Sequence, residues 1–116
     1  MDTVLFEKIR EGAKTPSVLE QRDNNYIWGF YSPCDFSLPK GEGSVINLGF
    51  IAVLPRDCRI CQHIGIGLKK EIIIEYLPAV PSHTCSPLCA YVKNVTSDEV
   101  TVAAGELLVC LEFIFE

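Results

Sequence analysis

Cysteine and histidine residues cluster in two short segments of the sequence. The first segment reads Cys58-Arg-Ile-Cys61-Gln-His63, and the second reads His83-Thr-Cys85-Ser-Pro-Leu-Cys89. Thiolate and imidazole are ligands that structural zinc prefers, so two such clusters permit a tetrahedral zinc site. Against zinc, the glycine that usually follows a Cys-x-x-Cys pair is absent, and Cys58 and Cys61 point to opposite faces of a regular strand. The competing interpretation is that these cysteines are small buried hydrophobic residues, as free cysteine usually is.

Catalytic cysteine chemistry has weaker support. A redox Cys-x-x-Cys pair needs a helix N-terminus to lower the thiol pKa, and the sequence around Cys61 shows no helix start. A nucleophilic pair such as Cys85 with His63 is suggested by composition alone. His63 and His83 could contact phosphate or metal, although most such histidines are partly exposed and structural. We therefore expect no resident cofactor, neither zinc nor magnesium.

The elements that must position these residues are β-strands. Turn-forming residues recur roughly every eight to twelve positions, the spacing of an all-β sandwich or barrel. The polar stretch from Gly12 to Asn25 is predicted to be a loop. The length of 116 residues predicts one domain over residues 1–116. The predicted strands cover residues 4–9, 26–31, 36–38, 44–54, 58–64, 71–76, 88–94, 100–102 and 107–115.

The last predicted strand, LLVCLEFIF, is apolar on both faces except at Glu112. A lone domain of this size has few places to bury both faces of a strand. Because obligate interfaces resemble a protein core cut in half, this pattern predicts packing against another copy of the chain.

Composition excludes several classes of function. The net charge of −5 argues against broad electrostatic capture of nucleic acid or anionic membrane. No stretch approaches the roughly 20 apolar residues of a membrane-spanning helix. The N-terminus MDTVLFEKIR lacks the pattern of a signal peptide, so we expect a cytoplasmic or nuclear protein with mainly reduced cysteines. In that setting the sequon Asn94-Val-Thr96 should not be glycosylated.

The order of several phrases resembles that of the trimeric dUTPases. The phrases are GAKTPS at 12–17, YSPCDFSLPKGEGSVINLGFIAVLP at 31–55 and YVKNVTSDEVTVAAGELLVCLEF at 91–113. In that family an Ala-x-x-Pro start precedes a Pro-Gly turn, a strand ending in TGI-x-V-x-LP, and a closing phrase LFN…V…GD-x-IAQL. The resemblance implies an all-β, dUTPase-like β-clip or distorted jelly-roll barrel that forms a homotrimer. The REGA start and the 26–33 phrase are also similar to the non-enzymatic dUTPase-like proteins of adenovirus early region four.

The residues that perform catalysis in the family are missing at the matching positions. Gly29 stands where the first motif has Asp, and Gln62 to Gly65 replace the phosphate-binding Pro-Arg-Ser-Gly. The catalytic Asp and the stacking Tyr of the third motif fall at about Pro81 and Thr84. The Gln of the fourth motif falls at about Cys110, and the glycine-rich fifth motif has no counterpart before Glu116. The degenerate positions are Gly29, His63, Ile64, Gly65, Pro81, Thr84 and Cys110.

These losses predict a protein without dUTPase activity. Hydrolysis needs a carboxylate to orient water, a divalent cation on the phosphates, and donors for the developing charge. The resemblance therefore implies a viral accessory protein that binds host proteins to modulate signalling. One alternative is a diverged enzyme that binds nucleotides or hydrolyses dUTP. Another is an acidic, chaperone-like structural oligomer, although the sequence has no acidic tract.

Overall fold

Strands account for all the regular secondary structure that the computed structural model describes, which covers residues 4–63, 72–77 and 87–115. The strands, numbered along the chain, are β1 (Leu5–Lys8), β2 (Ser17–Arg22), β3 (Asn25–Tyr31), β4 (Phe36–Leu38), β5 (Gly43–Val53), β6 (Cys58–His63), β7 (Ile72–Leu77), β8 (Pro87–Asn94), β9 (Val100–Val102) and β10 (Leu107–Phe115). The predicted all-β class is confirmed. Within the described ranges, no helix is long and apolar enough to cross a membrane.

Two four-stranded antiparallel sheets face each other. The first sheet has the order β1-β5-β8-β7, the second has the order β2-β3-β10-β6, and β4 pairs with β9 in a small ribbon. The alternation of each strand sends one set of apolar side chains into the space between the sheets. From the first sheet these include Leu88, Ala90 and Val92, and from the second Leu111 and Phe113. Burial of each large apolar side chain in this core stabilises the folded state by about 1.5–3 kcal/mol.

Phe6 of β1 joins the two sheets at one side of the core. Its ring lies edge-on to three aromatic rings of the second sheet, with centroid distances of 4.9 Å to Trp28, 5.3 Å to Phe30 and 5.8 Å to Phe113. Edge-to-face contacts of this kind add about 0.5–1.5 kcal/mol each beyond area burial. The aromatic phrase YIWGFY is therefore a packing element of β3.

The prediction of a loop from Gly12 to Asn25 is wrong for β2. Residues Asp23 and Asn24 form a two-residue connection in which Asp23 has φ 50°, and Arg22 pairs with Asn25 across the hairpin. Asparagine and aspartate tolerate positive φ better than most residues, which suits them to this turn. The strand has no alternating pattern because it lies at the sheet edge with most of its side chains exposed.

The two-sided burial predicted for β10 is confirmed, but its inferred cause is wrong. All six residues from Leu108 to Phe113 are buried within a single chain, in which β10 lies between β3 and β6 in the second sheet. Burial of this strand therefore does not require another copy of the chain.

Two of the phrases that carry the family resemblance pack directly against each other. Gly49 of β5 has φ +89°, and a Cβ at this position would lie 2.9 Å from the Cβ of buried Ala13. The Asn47 side-chain oxygen accepts a 2.8 Å hydrogen bond from the Gly49 amide, and the Gly49 carbonyl accepts one of 2.9 Å from the Ile9 amide. The pairing of β5 with β8 is shifted between Asn47 and Ile51, as a bulge requires. The glycine therefore positions the N-terminal segment on β5.

Asn94, at the end of β8, has a structural role. Its side chain is fully buried, and its amide nitrogen donates to the carbonyl oxygens of Leu38 (2.9 Å) and Asp98 (2.7 Å). Its side-chain oxygen accepts from the backbone amide and the hydroxyl of Thr96. The Asn94-Val-Thr96 sequon is therefore a turn motif whose acceptor nitrogen is enclosed in the folded chain.

Candidate functional site

Three of the degenerate positions align in one row across the second sheet. In the pairing of β10, Cys110 lies opposite Gly29 of β3 on one side and opposite His63 of β6 on the other. The row continues to Ser17 of β2, which pairs with Gly29. Positions that the family resemblance takes from three separate motifs are thus neighbours in space. The other four degenerate positions, Ile64, Gly65, Pro81 and Thr84, lie outside the described residues.

Gly29 leaves a gap that two leucines fill. A Cβ built on Gly29 would lie 2.9 Å from the Cδ1 atoms of Leu19 and Leu107. Leu19 reaches this position from the irregularity in β2, where the pairing with β3 shifts between Val18 and Glu20. A carboxylate at position 29 would therefore have to displace two apolar side chains before it could reach a cation.

Cys110 occupies the centre of the row and is fully buried. Burial raises the pKa of its thiol, since the low-dielectric interior disfavours the thiolate. A neutral, enclosed thiol is neither a metal ligand nor a nucleophile. The thiol therefore does not replace the carbonyl oxygen and the amide group that a glutamine carries at this position.

His63 forms a hydrogen bond with Glu112 that the sequence alone does not reveal. Its Nε2 lies 2.7 Å from Oε1 of Glu112, and the side chains are 19% and 11% exposed. Glu112 follows Cys110 by two residues, so it lies on the same face of β10, diagonal to His63. The only sequence signal was a single carboxylate in an otherwise apolar strand, and its partner depends on the register of β6. The carboxylate holds the imidazole against the sheet.

The β2 end of the row carries a lysine. The Lys14 ammonium lies 4.0 Å from the centroid of the Tyr31 ring, a cation–π contact. The Tyr31 hydroxyl is in turn hydrogen-bonded to the Ser17 hydroxyl at 2.5 Å. These contacts tie the GAKTPS phrase to the second sheet.

The zinc hypothesis is tested only in part. Cys58 packs against the core, whereas Cys61 lies opposite Glu112, so the predicted opposite orientation of the two cysteines is confirmed. Burial, and secondarily the charge of Asp57, raise the pKa of the Cys58 thiol. Cys89 lies in the other sheet, and His83 and Cys85 fall outside the described residues. In the part of the chain that is described, no three His, Cys, Asp or Glu side chains are grouped to hold a metal ion.

Solved structures of phage dUTPases share this fold. The dUTPase of Staphylococcus bacteriophage 80alpha matches with a TM-score of 0.75 at 14% identity, over 98% of this chain and 91% of that chain. A point mutant of the dUTPase from phage phi11 of S. aureus matches with a TM-score of 0.75 at 15% identity, over 98% and 92% of the two chains. The chain therefore has a dUTPase-like fold, as the phrase order predicts.

Sequence comparison adds no closer relationship. No protein-family model matches the chain, and no curated protein matches it. The identity of 14–15% with the phage enzymes shows a common fold alone. The similarity to the adenovirus proteins stays a prediction.

Proposed function

We propose that this chain is a non-enzymatic dUTPase-like protein, a viral accessory protein that binds host proteins inside the cell as a homo-oligomer. One observation carries the non-enzymatic half: the row of Gly29, Cys110 and His63 keeps the positions of the family site without their chemistry. Position 29 has no side chain, position 110 has a neutral buried thiol, and the imidazole at position 63 is bound to Glu112.

The chemistry of hydrolysis explains why this row matters. A triphosphate brings several negative charges, and its cleavage requires a divalent cation together with cationic or backbone donors. The row offers a glycine covered by leucines and a thiol that burial keeps protonated. Neither group binds a cation or orients water.

A role in regulation is supported by what proteins of this fold do elsewhere. The phage 80alpha dUTPase controls transfer of virulence genes by a proto-oncogenic G protein-like mechanism. For the same protein, a link between enzymatic activity and SaPI-inducing capacity has been dissected. A dUTPase-like scaffold can therefore serve a control function. We propose that this chain retains such a function and has lost the hydrolysis.

The hydrogen bond between His63 and Glu112 favours one alternative, a diverged nucleotide hydrolase. A carboxylate that orients an imidazole is a common arrangement for a general base. In this alternative, His63→Gln and Glu112→Gln would each abolish turnover. In the proposed function, both variants affect stability alone.

Turnover of dUTP with magnesium tests the non-enzymatic half. Purified protein is incubated with dUTP and Mg²⁺, and a phage dUTPase is the positive control. The His63→Gln variant, purified in the same way, shows whether any turnover comes from a contaminating enzyme, because such turnover would persist in the variant. We expect release of diphosphate at less than a thousandth of the roughly 10 s⁻¹ that is typical of enzymes. Turnover at an enzyme-like rate that His63→Gln removes would establish the hydrolase instead.

Quantitative affinity capture tests the binding half. The tagged chain and a tagged phage dUTPase are compared in the same host lysate, and each captured protein is then purified and titrated. We expect at least one host protein to bind this chain saturably and the phage enzyme not at all. If every captured protein binds both chains equally, host recognition by this chain is refuted.

A further inference from the structure

Three strands of the first sheet, β1, β5 and β8, have a solvent-facing side on which most side chains are apolar. In β8, Leu88, Ala90 and Val92 point into the core, so Cys89 and Tyr91 point outward. The register places Val45 opposite Tyr91 and Leu5 opposite Val53. We call this side of β1, β5 and β8 the outer apolar face, and its residues are Leu5, Val45, Ile51, Val53, Cys89 and Tyr91.

Side chains on this face are exposed in the single chain. Leu5 is 60% exposed, Val45 56% and Val53 41%. An antiparallel sheet with one face on the core normally presents polar side chains on its other face. Within β1, β5 and β8, alternation places two charged residues on this side, Glu7 of β1 and Lys93 of β8, and both lie at its rim. The amide of Asn47, opposite Cys89, lies inside the face, where its oxygen accepts a hydrogen bond from the Gly49 amide. The outer apolar face thus departs from the pattern of a solvated sheet.

We propose that the outer apolar face is the contact surface between copies of this chain. The inference deepens the proposed function, because it assigns a surface to the proposed homo-oligomer. Copies that each carry a net charge of −5 repel one another, so they approach most easily where the surface is uncharged. Glu7 and Lys93 at the rim have opposite signs, which allows them to pair between copies.

The dimensions of the face also fit a second copy. The three strands of the face, spaced about 4.8 Å apart, with about 26 Å of length for the eight residues of β8, give a footprint of about 370 Å². Stable interfaces cover roughly 800 Å² per partner, so the face would form the apolar centre of an interface whose polar rim supplies the remaining area. Two sheets of the same twist pack face to face, whereas a single bound peptide would leave much of this face in water.

Charge substitution on the face tests the proposal. Val45→Glu and Val53→Glu are combined in one variant, and both side chains are exposed in the monomer, so the fold should tolerate them. Val95→Glu is the matched control, because Val95 is 52% exposed in the turn after β8 and lies outside the face. Native mass is measured from about 1 to 100 µM, a range that detects dissociation constants of ordinary oligomers.

We expect the wild type and Val95→Glu to be oligomeric and the double variant to be a folded monomer. Loss of two buried valine contacts should raise the dissociation constant by at least about 100-fold. A monomeric wild type over the whole range would overturn the proposal. A double variant that keeps the wild-type oligomeric mass would also overturn the proposal. The same holds if the double variant stays oligomeric and only its binding to a host protein is lost.

Thiol reactivity in the wild type provides a second test that does not depend on the folding of a variant. Cys89 lies on the face, whereas Cys34 follows β3 outside it, and both are half-buried in the single chain. Dilution should accelerate alkylation of Cys89 relative to Cys34, and an unchanged ratio would overturn the proposal. A dUTP-hydrolysing oligomer would refute the non-enzymatic half of the proposed function and leave this surface assignment intact. A monomer without turnover would overturn the surface assignment and leave the non-enzymatic half intact.

Discussion

Asn94 ends β8 in the phrase YVKN, one of those that carry the resemblance, and replacing it tests whether that phrase is structural. Its fully buried side chain makes four hydrogen bonds: two donated to the carbonyls of Leu38 and Asp98, and two accepted from Thr96. These bonds join the end of β8 to β4 and to the turn that leads into β9. The variant Asn94→Ala removes all four.

The loss of unfolding free energy in Asn94→Ala is the sum of the losses at its four hydrogen bonds. The bond to the Leu38 carbonyl is buried, and an unpaired buried acceptor costs about 1–3 kcal/mol. The other three bonds are partly accessible, so water replaces them at a net loss of up to about 1 kcal/mol each. We therefore expect Asn94→Ala to lower the free energy of unfolding by about 3–4 kcal/mol. Thr96→Val removes only the hydroxyl bonds and should cost about 1 kcal/mol.

Urea unfolding of the three proteins, followed by intrinsic tryptophan fluorescence, measures these differences. Thermal scans should show the same order, since each kcal/mol corresponds to roughly 4 °C for a domain of this length. If Asn94→Ala costs no more than Thr96→Val, the enclosed amide does not hold the turn, and the structural interpretation of the phrase fails.

Three further predictions concern residues around the bulge and the row. Gly49→Ala should lower the free energy of unfolding by about 3 kcal/mol, because the added Cβ is at φ +89° and also meets Ala13. Gly12→Ala is at φ +84° in open space, so it should lower this free energy by only about 1 kcal/mol. Chemical unfolding of the two variants measures the difference. His63→Ala should lower the free energy of unfolding by about 2 kcal/mol, because it leaves buried Glu112 without its imidazole partner. Glu112→Gln keeps a hydrogen bond to His63 and should lower it by less than about 1 kcal/mol. Equal losses would contradict the assigned contact between His63 and Glu112. Burial raises the pKa of the Cys110 thiol in the folded state. The contribution of the protonated thiol to folding stability is therefore complete below the ordinary thiol pKa of 9.0, and it is lost as the pH rises through the folded-state pKa. Stability of the wild type should therefore fall above pH 9.0 more steeply than that of Cys110→Ala, and parallel curves would refute the shift.

Much of the fold follows from sequence because its strands have their own local signals. The aromatic run of β3 and the apolar run of β10 are recognisable without any partner. The strand β2 is not, because Val18 and Leu19 are adjacent and no alternation follows them. It exists because the Asp23-Asn24 turn returns the chain to pair with β3, and an edge strand needs little apolar patterning.

The site was predictable only as a set of positions. The resemblance identified Gly29, His63 and Cys110, but their alignment depends on the pairing of three strands far apart in sequence. The same pairing brings Glu112 to His63, and a shift of one residue would have turned it to the other face of the sheet. The apolar pattern of β10 predicts packing against another copy, because the sequence does not show which side chains of the same chain will cover the strand.

Binding of a nonhydrolysable dUTP analogue tests most directly whether the nucleotide site has been lost. The analogue dUpNHpp has been bound to a phage 80alpha dUTPase variant of the same fold, so that protein is the positive control. Titration calorimetry with Mg²⁺ should give saturable heat for the phage enzyme and none for this chain up to about 1 mM, a limit of about −4 kcal/mol in binding free energy. Saturable binding with a micromolar dissociation constant would contradict the account.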